Sequence, residues 1–221
     1  MKLCDRIFGS PVGAKMLMAL TGLMLTGFVL AHLSGNLLLY AGQEKFNAYA
    51  DGLQALGLLL WVARGGLLTA FVLHLYLAIK LTIENKAARP VPYAHEATIQ
   101  ATFASRYMVH TGLLMFAFIV YHLAHFTFKV TSPEIASLTP GDAYSMVILG
   151  FSEPVVSGFY ILAMAALATH LRHGVSSAFQ SFGLYHGNLN VVTDKLGPIV
   201  AAIVFFGFSS IPVSVLMGCL K

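Results

Sequence analysis

Long uncharged runs alternate with short charged ones along the chain. Met16 to Gln43, Tyr107 to Phe128 and Leu196 to Leu220 contain no Asp, Glu, Lys or Arg. Each is long enough to cross the apolar core of a bilayer, which takes about 20 helical residues. Pro154 to Leu171 is a fourth uncharged run, and about Leu58 to Ile79 is a fifth apolar segment, interrupted only by Arg64. That arginine lies near the start of its segment, where a long side chain reaches the interface, and Trp61 suits the same level. The pattern predicts an all-α integral membrane protein, one domain over 1–221, with transmembrane helices at approximately 15–40, 58–80, 107–128, 150–172 and 196–220. The stretches Gln43 to Gly57, Lys80 to Arg106, Lys129 to Glu153 and Arg172 to Lys195 hold nearly all the charge and read as connections. The first run is too long for a signal-peptide h-region and has no clear small-residue cleavage site, so it is expected to be retained. No internal repeat and no low-complexity tract is expected.

Composition strengthens this reading. Thirteen basic and nine acidic residues make up 10% of 221, where soluble domains carry about 25%. Hydrophobic residues are 57% and the mean hydropathy is +0.78, more than one soluble core buries without leaving large apolar patches outside. The net charge of +4 points to membrane topology rather than to nucleic acid. With five spans the bases divide by side: Lys2, Arg6, Lys15, Lys80, Lys86, Arg89, Arg106, Arg172 and Lys195 on one, Lys45, Arg64, Lys129 and Lys221 on the other. The richer side is expected to be cytoplasmic, with the N-terminus there. Cys4 and Cys219 form no CxxC, no CxxCH and no disulfide framework.

The histidines are the anomaly. His32, His74, His122, His125 and His170 lie inside the spans or in their last turns, and an ionisable side chain at membrane depth marks function by default. His32 stands 17 residues past Lys15 and His122 stands 16 past Arg106, so both lie roughly 25 Å along outward-running helices. His74 precedes Lys80 by six residues and His170 precedes Arg172 by two, which puts both near the inner ends of inward-running helices. Four histidines on four helices, paired by depth, suggest two bis-histidine haem sites. Without CxxCH these are two haem b groups, not covalently attached. Zinc is the rival metal, but it wants three or four ligands and neither depth offers such a set. Gly22, Gly27, Gly35, Gly112, Gly158 and Gly174 lie near these histidines, where small residues leave room for a macrocycle or for close helix packing.

The ordered motifs resemble the cytochrome b membrane-anchor subunit of succinate:quinone oxidoreductases, in its five-helix, two-haem form. They are Thr21-Gly22, His32-Leu-Ser-Gly-Asn36, Gly42-Gln-Glu-Lys-Phe-Asn-Ala-Tyr49, His74 with Leu81-Thr-Ile-Glu-Asn85, Ala88-Arg89-Pro90, Thr111-Gly112 with His122, and His170-Leu-Arg-His-Gly174 with Gly183. The resemblance implies His32 and His122 as axial ligands of the distal haem, and His74 and His170 of the proximal one. It selects His122 over His125, and His170 over His173. His125, His173, Arg106 and His110 become candidates for haem-propionate or quinone contacts. Solvated interfacial histidines and a topology-setting arginine are the plainer readings of those four.

The same resemblance implies electron transfer between membrane quinone, menaquinone or ubiquinone, and an iron-sulfur subunit. That subunit and its flavoprotein partner, which performs the succinate or fumarate chemistry, would dock on the cytoplasmic side, with a dimer of complexes left open. Phe103, Phe179, Phe182 and Leu184 are candidate docking residues. Quinone is expected near the distal haem at the outer face, where Glu44, Asp51 and Glu153 are the acids. Glu44 is the candidate for quinone proton transfer, while Glu153, before Pro154, also suits a helix start. Some members carry an acid two residues before the fourth ligand; here that residue is Ala168, so no proton route through that position is expected. The rival readings are a haem b anchor of another respiratory enzyme, such as a hydrogenase or formate dehydrogenase, and a proton-relay channel.

Overall fold

The computed structural model describes residues 9–88, 91 and 101–221. Lys2, Cys4, Arg6, Arg89 and Pro90, invoked above, lie outside the described residues. Those described are helical, without a strand. The helices are α1 (Pro11–Asn36, continued by a 3-10 turn, Leu37–Ala41), α2 (Gln43–Ala55), α3 (Leu58–Ala87), α4 (Phe103–Arg106), α5 (Met108–His122, continued by a π turn, Leu123–Thr127), α6 (Pro133–Ala136), α7 (Ala143–Ser152), α8 (Pro154–Ser181) and α9 (Leu189–Leu216). Five of them, α1, α3, α5, α8 and α9, are long and apolar enough to cross a membrane. The chain is thus built as a multi-pass membrane protein. Leu58 at 80% exposure, Leu162 at 71% and Phe206 at 70% would be costly in water and are at home in lipid.

Local chemistry sets the helix ends. Ser10 caps α1 by accepting from the Gly13 amide at 3.0 Å, and Pro11 follows at the first helical position. Glu153 is the extended residue before α8, with Pro154 at the first turn, so the fourth span starts there and not at 150. Gly42 (φ 96°) and Gly57 (φ 52°) take backbone conformations open to glycine and bracket α2. The second and fourth spans also overrun their expected ends at 80 and 172. At 30 and 28 residues, α3 and α8 are about 45 and 42 Å long, against about 30 Å of hydrocarbon. By length alone their last turns would extend beyond the hydrocarbon, at the end that carries Lys80, Lys86, Arg106, Arg172 and Lys195, the basic end. Lys80 and Glu84 pair at 2.7 Å on that part of α3.

α8 is the hub of the bundle, packing on α9, α1 and α5, while α3 packs on α1. Its closest approach is to α9, where a Cβ on Gly197 would overlap the Arg172 carbonyl oxygen and stand 2.7 Å from Ser176 Oγ. Leu171, Val175, Ala201 and Val204 pack beside that crossing. At the other end the expected connections are partly helical: α2, α6 and α7 form a roof over the bundle. Leu39, Phe46, Tyr144, Phe151, Tyr160, Ile211 and Leu220 share one apolar cluster beneath it.

Polar contacts hold the roof. Asp142 caps α7 through the Ser145 amide (3.1 Å) and accepts from Gln43 Nε2 (3.2 Å) and Asn47 Nδ2 (3.1 Å) of α2. Asn47 Oδ1 in turn accepts from the Tyr144 amide at 2.8 Å. These donors, Ser145 first, hold the Asp142 carboxyl down at about 2, from 3.8. A depressed carboxyl contributes its stability fully above its ordinary value and loses it as pH falls through the folded one. Asp142→Asn, an equally good cap, should therefore lose part of the acid sensitivity between about pH 4 and 2, read by thermal melts in detergent.

Gly197→Val should drive α8 from α9 and cost about 1–3 kcal/mol, as overpacked cores do. Gly27→Ala, where a Cβ would meet nothing within 4 Å, should be neutral or stabilising. Comparing the two melting temperatures checks the assignment.

Candidate functional site

The bundle brings the four expected histidines together in two pairs. The ring centroids of His32 (α1) and His122 (α5) lie 6.0 Å apart, with their planes at 81°. Those of His74 (α3) and His170 (α8) lie 6.4 Å apart, at 68°. An imidazole centroid sits about 1 Å from its nitrogen, so two rings sharing one metal through bonds of about 2 Å have centroids about 6 Å apart. Both separations meet that requirement. On α1 and α5 the two levels are eleven residues, or about 16 Å, apart. Among the described residues no group of three or more His, Cys, Asp or Glu side chains is arranged to hold a metal ion.

The basic-end pair is held by one device used twice. His74 Nδ1 lies 3.3 Å from Thr21 Oγ1 and 3.2 Å from the Met18 carbonyl on α1. His170 Nδ1 lies 3.1 Å from Thr111 Oγ1 on α5, and the ring also hydrogen-bonds the Met108 backbone. Each threonine directs its single proton to carbonyls of its own helix: Leu17 and Met18 at 3.0 Å each, Tyr107 and Met108 at 3.0 and 3.1 Å. The hydroxyl oxygen is then an acceptor, as is a carbonyl always, so Nδ1 carries the hydrogen on both histidines. Their Nε2 lone pairs remain free for a metal. The glycine after each threonine admits the ring: a Cβ on Gly22 would press His74 Cε1 at 3.1 Å, and one on Gly112 would touch His170 Cε1 at 3.6 Å.

Contrary to expectation, this device rests on an internal repeat. Met18–His32 and Met108–His122 share the pattern M-x2-T-G-L-x4-F-x3-H. Met supplies a carbonyl, Thr a hydroxyl and Gly a clearance to the basic-end pair. Phe28 and Phe118 pack on His32 and His122 one turn before them, at 5.5 and 5.7 Å. Eleven residues make just over three turns, so the threonine and the histidine share one helix face.

At the roofed end, the Asn36 amide donates to the His32 carbonyl at 2.8 Å and lies 3.3 and 3.4 Å from the two ring nitrogens, selecting neither. The Tyr160 hydroxyl lies 3.4 Å from His122 Nδ1 and 3.0 Å from His125 Nδ1. Tyr160 was not expected at the site; a tyrosine in an apolar span carries no sequence signal until the fold sets it against His122. His125 is 3% exposed and is no solvated interfacial residue: it sits in the π turn, whose wider winding accompanies its packing against Phe126 at 4.1 Å. Beside it a cavity of about 410 Å³ opens, lined by Tyr121, His125, Ser132, Glu134, Glu153 and Val156 among others.

The remaining candidates stay outside the pairs. Arg106, the last residue of α4, and His110, in the first turn of α5, are exposed, with the His110 ring 5.6 Å from Tyr107, and His173 is half-buried one turn past His170. Glu44 is exposed in the first turn of α2, where its charge suits the helix dipole, and Asp51 is exposed farther along. Of the docking residues, Phe103 and Leu184 are exposed, whereas Phe179 is taken up by the α8–α9 core. Compared with family models, with curated proteins and with solved structures, the chain matches none.

Removing one hydroxyl tests the shared hydrogen bonds. Thr111→Val at His170 and Thr21→Val at His74 should each remove one of two acceptors, at about 1 kcal/mol. In ring-15N spectra of the apoprotein, each variant should shift the Nδ1–H resonance of one histidine while the Met18 or Met108 carbonyl keeps the hydrogen on Nδ1; spectra identical to wild type would contradict the assignment.

Proposed function

We propose that the chain is the di-haem b membrane anchor of a succinate:quinone oxidoreductase, a succinate dehydrogenase or quinol:fumarate reductase, in the bacterial inner membrane. The observation that carries this reading is the pairing of four histidines at two levels, each pair at the separation one metal spans, with the Nε2 atoms of His74 and His170 left free. Two imidazoles bound to one haem iron would leave no position open to substrate, which favours electron transfer over substrate chemistry at the metal. His32 and His122 would hold the distal haem, and His74 and His170 the proximal one. When bound, the haems supply one-electron transfer between membrane quinone and a partner's iron-sulfur centre.

The protein's own residues do the rest. Thr21, Thr111 and the Met18 and Met108 carbonyls orient the basic-end ligands, and the lipid-facing leucines and phenylalanines exclude water. Quinone would bind in the cavity beside His125, on whose wall Glu134 and Glu153 stand; Glu44 does not line it, which favours Glu153 over Glu44 as a proton partner. The excess of basic residues argues for a cytoplasmic N-terminus. There the projecting ends of α3 and α8, with Phe103 and Leu184, would meet the iron-sulfur and flavoprotein subunits.

The purified chain should show b-type bands in a reduced-minus-oxidised spectrum and two haems per polypeptide. His122→Ala and His170→Ala should each retain one. A wild-type chain without haem would refute the reading; haem with hydrogenase or formate dehydrogenase subunits co-purifying would move the anchor to another respiratory enzyme.

A further inference from the structure

The two rings of the roofed-end pair are held differently. The internal repeat gives His32 and His122 the same Phe one turn earlier, but nothing in it supplies a hydrogen-bond partner for their Nδ1 atoms. Tyr160 does so for His122 alone. It stands ten residues before His170 on α8; ten before His74 on α3 is Arg64, exposed and lying 4.9 Å over the Trp61 ring. The helix that corresponds to α8 therefore offers His32 no such group. His125, buried and otherwise unused, meets the same tyrosine oxygen.

A phenol has one proton to give, so these three side chains have two hydrogen-bonding senses. In one, Tyr160 donates to His125 Nδ1 and accepts from His122 Nδ1–H, leaving the Nε2 lone pair of His122 free to bind a metal. In the other, Tyr160 donates to His122 Nδ1, which puts the hydrogen on Nε2 and closes that nitrogen to a metal. The distances favour the first. O–H donors make shorter bonds than N–H donors, and the bond to His125 is 3.0 Å against 3.4 Å to His122. The surrounding cage, with Phe118 at 5.1 Å and Phe151 at 4.9 Å from the Tyr160 ring, keeps the phenol in place.

We propose that Tyr160 is a positioning residue that, anchored by His125, holds His122 in the Nδ1–H form and sets the roofed-end pair apart electronically from the basic-end pair. This rests on the haem reading above. A hydrogen bond from Nδ1 makes the opposite nitrogen a more basic ligand, which favours the oxidised metal; removing the phenol oxygen should favour the reduced one.

The test is Tyr160→Phe, which keeps the ring and removes only the hydroxyl. Optical redox titration of the purified chain should resolve two haem components. Tyr160→Phe should raise the midpoint of one and leave the other, while Thr111→Val should move the other. His125→Phe should move the same component as Tyr160→Phe, and the double variant should move it no further. In the apoprotein, ring-15N spectra of Tyr160→Phe should show His122 losing its Nδ1–H preference. Two haems with neither midpoint moved, or both moved alike, would overturn the inference and leave the haem reading standing. A wild-type chain that binds no haem would overturn that reading instead, and the unmoved His122 spectrum would then overturn the inference separately.

Discussion

An imidazole inside a bilayer has no water to satisfy its N–H, so a neighbouring helix must supply an acceptor. Much of the bundle's arrangement follows from that requirement. For His74 and His170 the acceptors are a threonine hydroxyl and a backbone carbonyl one turn apart on the adjacent helix. The hydroxyl accepts because its own proton is committed to the carbonyls behind it. Hydroxyl and carbonyl together, on α1 and on α5, thereby set which ring nitrogen of α3 and α8 is free, and tie helix packing to the tautomer of the ring. The glycine beside each threonine belongs to the same arrangement, since a bond of about 3.2 Å forms only where the ring can reach the helix surface.

α8 integrates these contacts. It carries Tyr160 at one level and His170 at the other, and packs on α1, α5 and α9. The Gly197 crossing fixes it against α9 just below His170, and the roof cluster fixes it at Tyr160. Van der Waals packing and a few polar contacts, rather than hydrophobic expulsion from water, hold helices together in lipid. A helix gripped at both site levels is therefore a firm frame for the chemistry.

The spans were legible because lipid imposes length and low charge on every helix that crosses it, and Met16–Gln43 or Leu196–Leu220 answer to nothing else. The depth pairing of the histidines was legible for the same reason. The ends of the second and fourth spans were misread because Lys80 and Arg172 look like boundaries, although a helix continues past a charge when its last turns stand in water. The roof was not legible. α2 is an ordinary polar helix whose place depends on Gln43 and Asn47 meeting Asp142, nearly a hundred residues away in sequence. For His125 the sequence left a site contact and a solvated interfacial residue both open, because the roof that buries it is built from residues distant in sequence. Tyr160 had no sequence signal, and the repeat around Thr21 and Thr111 was hidden by the interchangeable apolar residues that fill most of its positions.

The eleven-residue interval between threonine and histidine on α1 and α5 restricts how this architecture can vary. One residue inserted between the levels would turn every later side chain by about 100° and aim the histidine at lipid. Only intervals near a whole number of turns, such as seven, eleven or fourteen residues, keep both groups facing inward. The distance between the two levels is therefore stepped rather than continuous, changing by about 5 Å at a time. Because the same interval occurs on two helices, any step must be taken by both together. Thicker or thinner membranes can be met freely at the projecting ends of α3 and α8, while the separation between the two sites stays locked to the helical repeat.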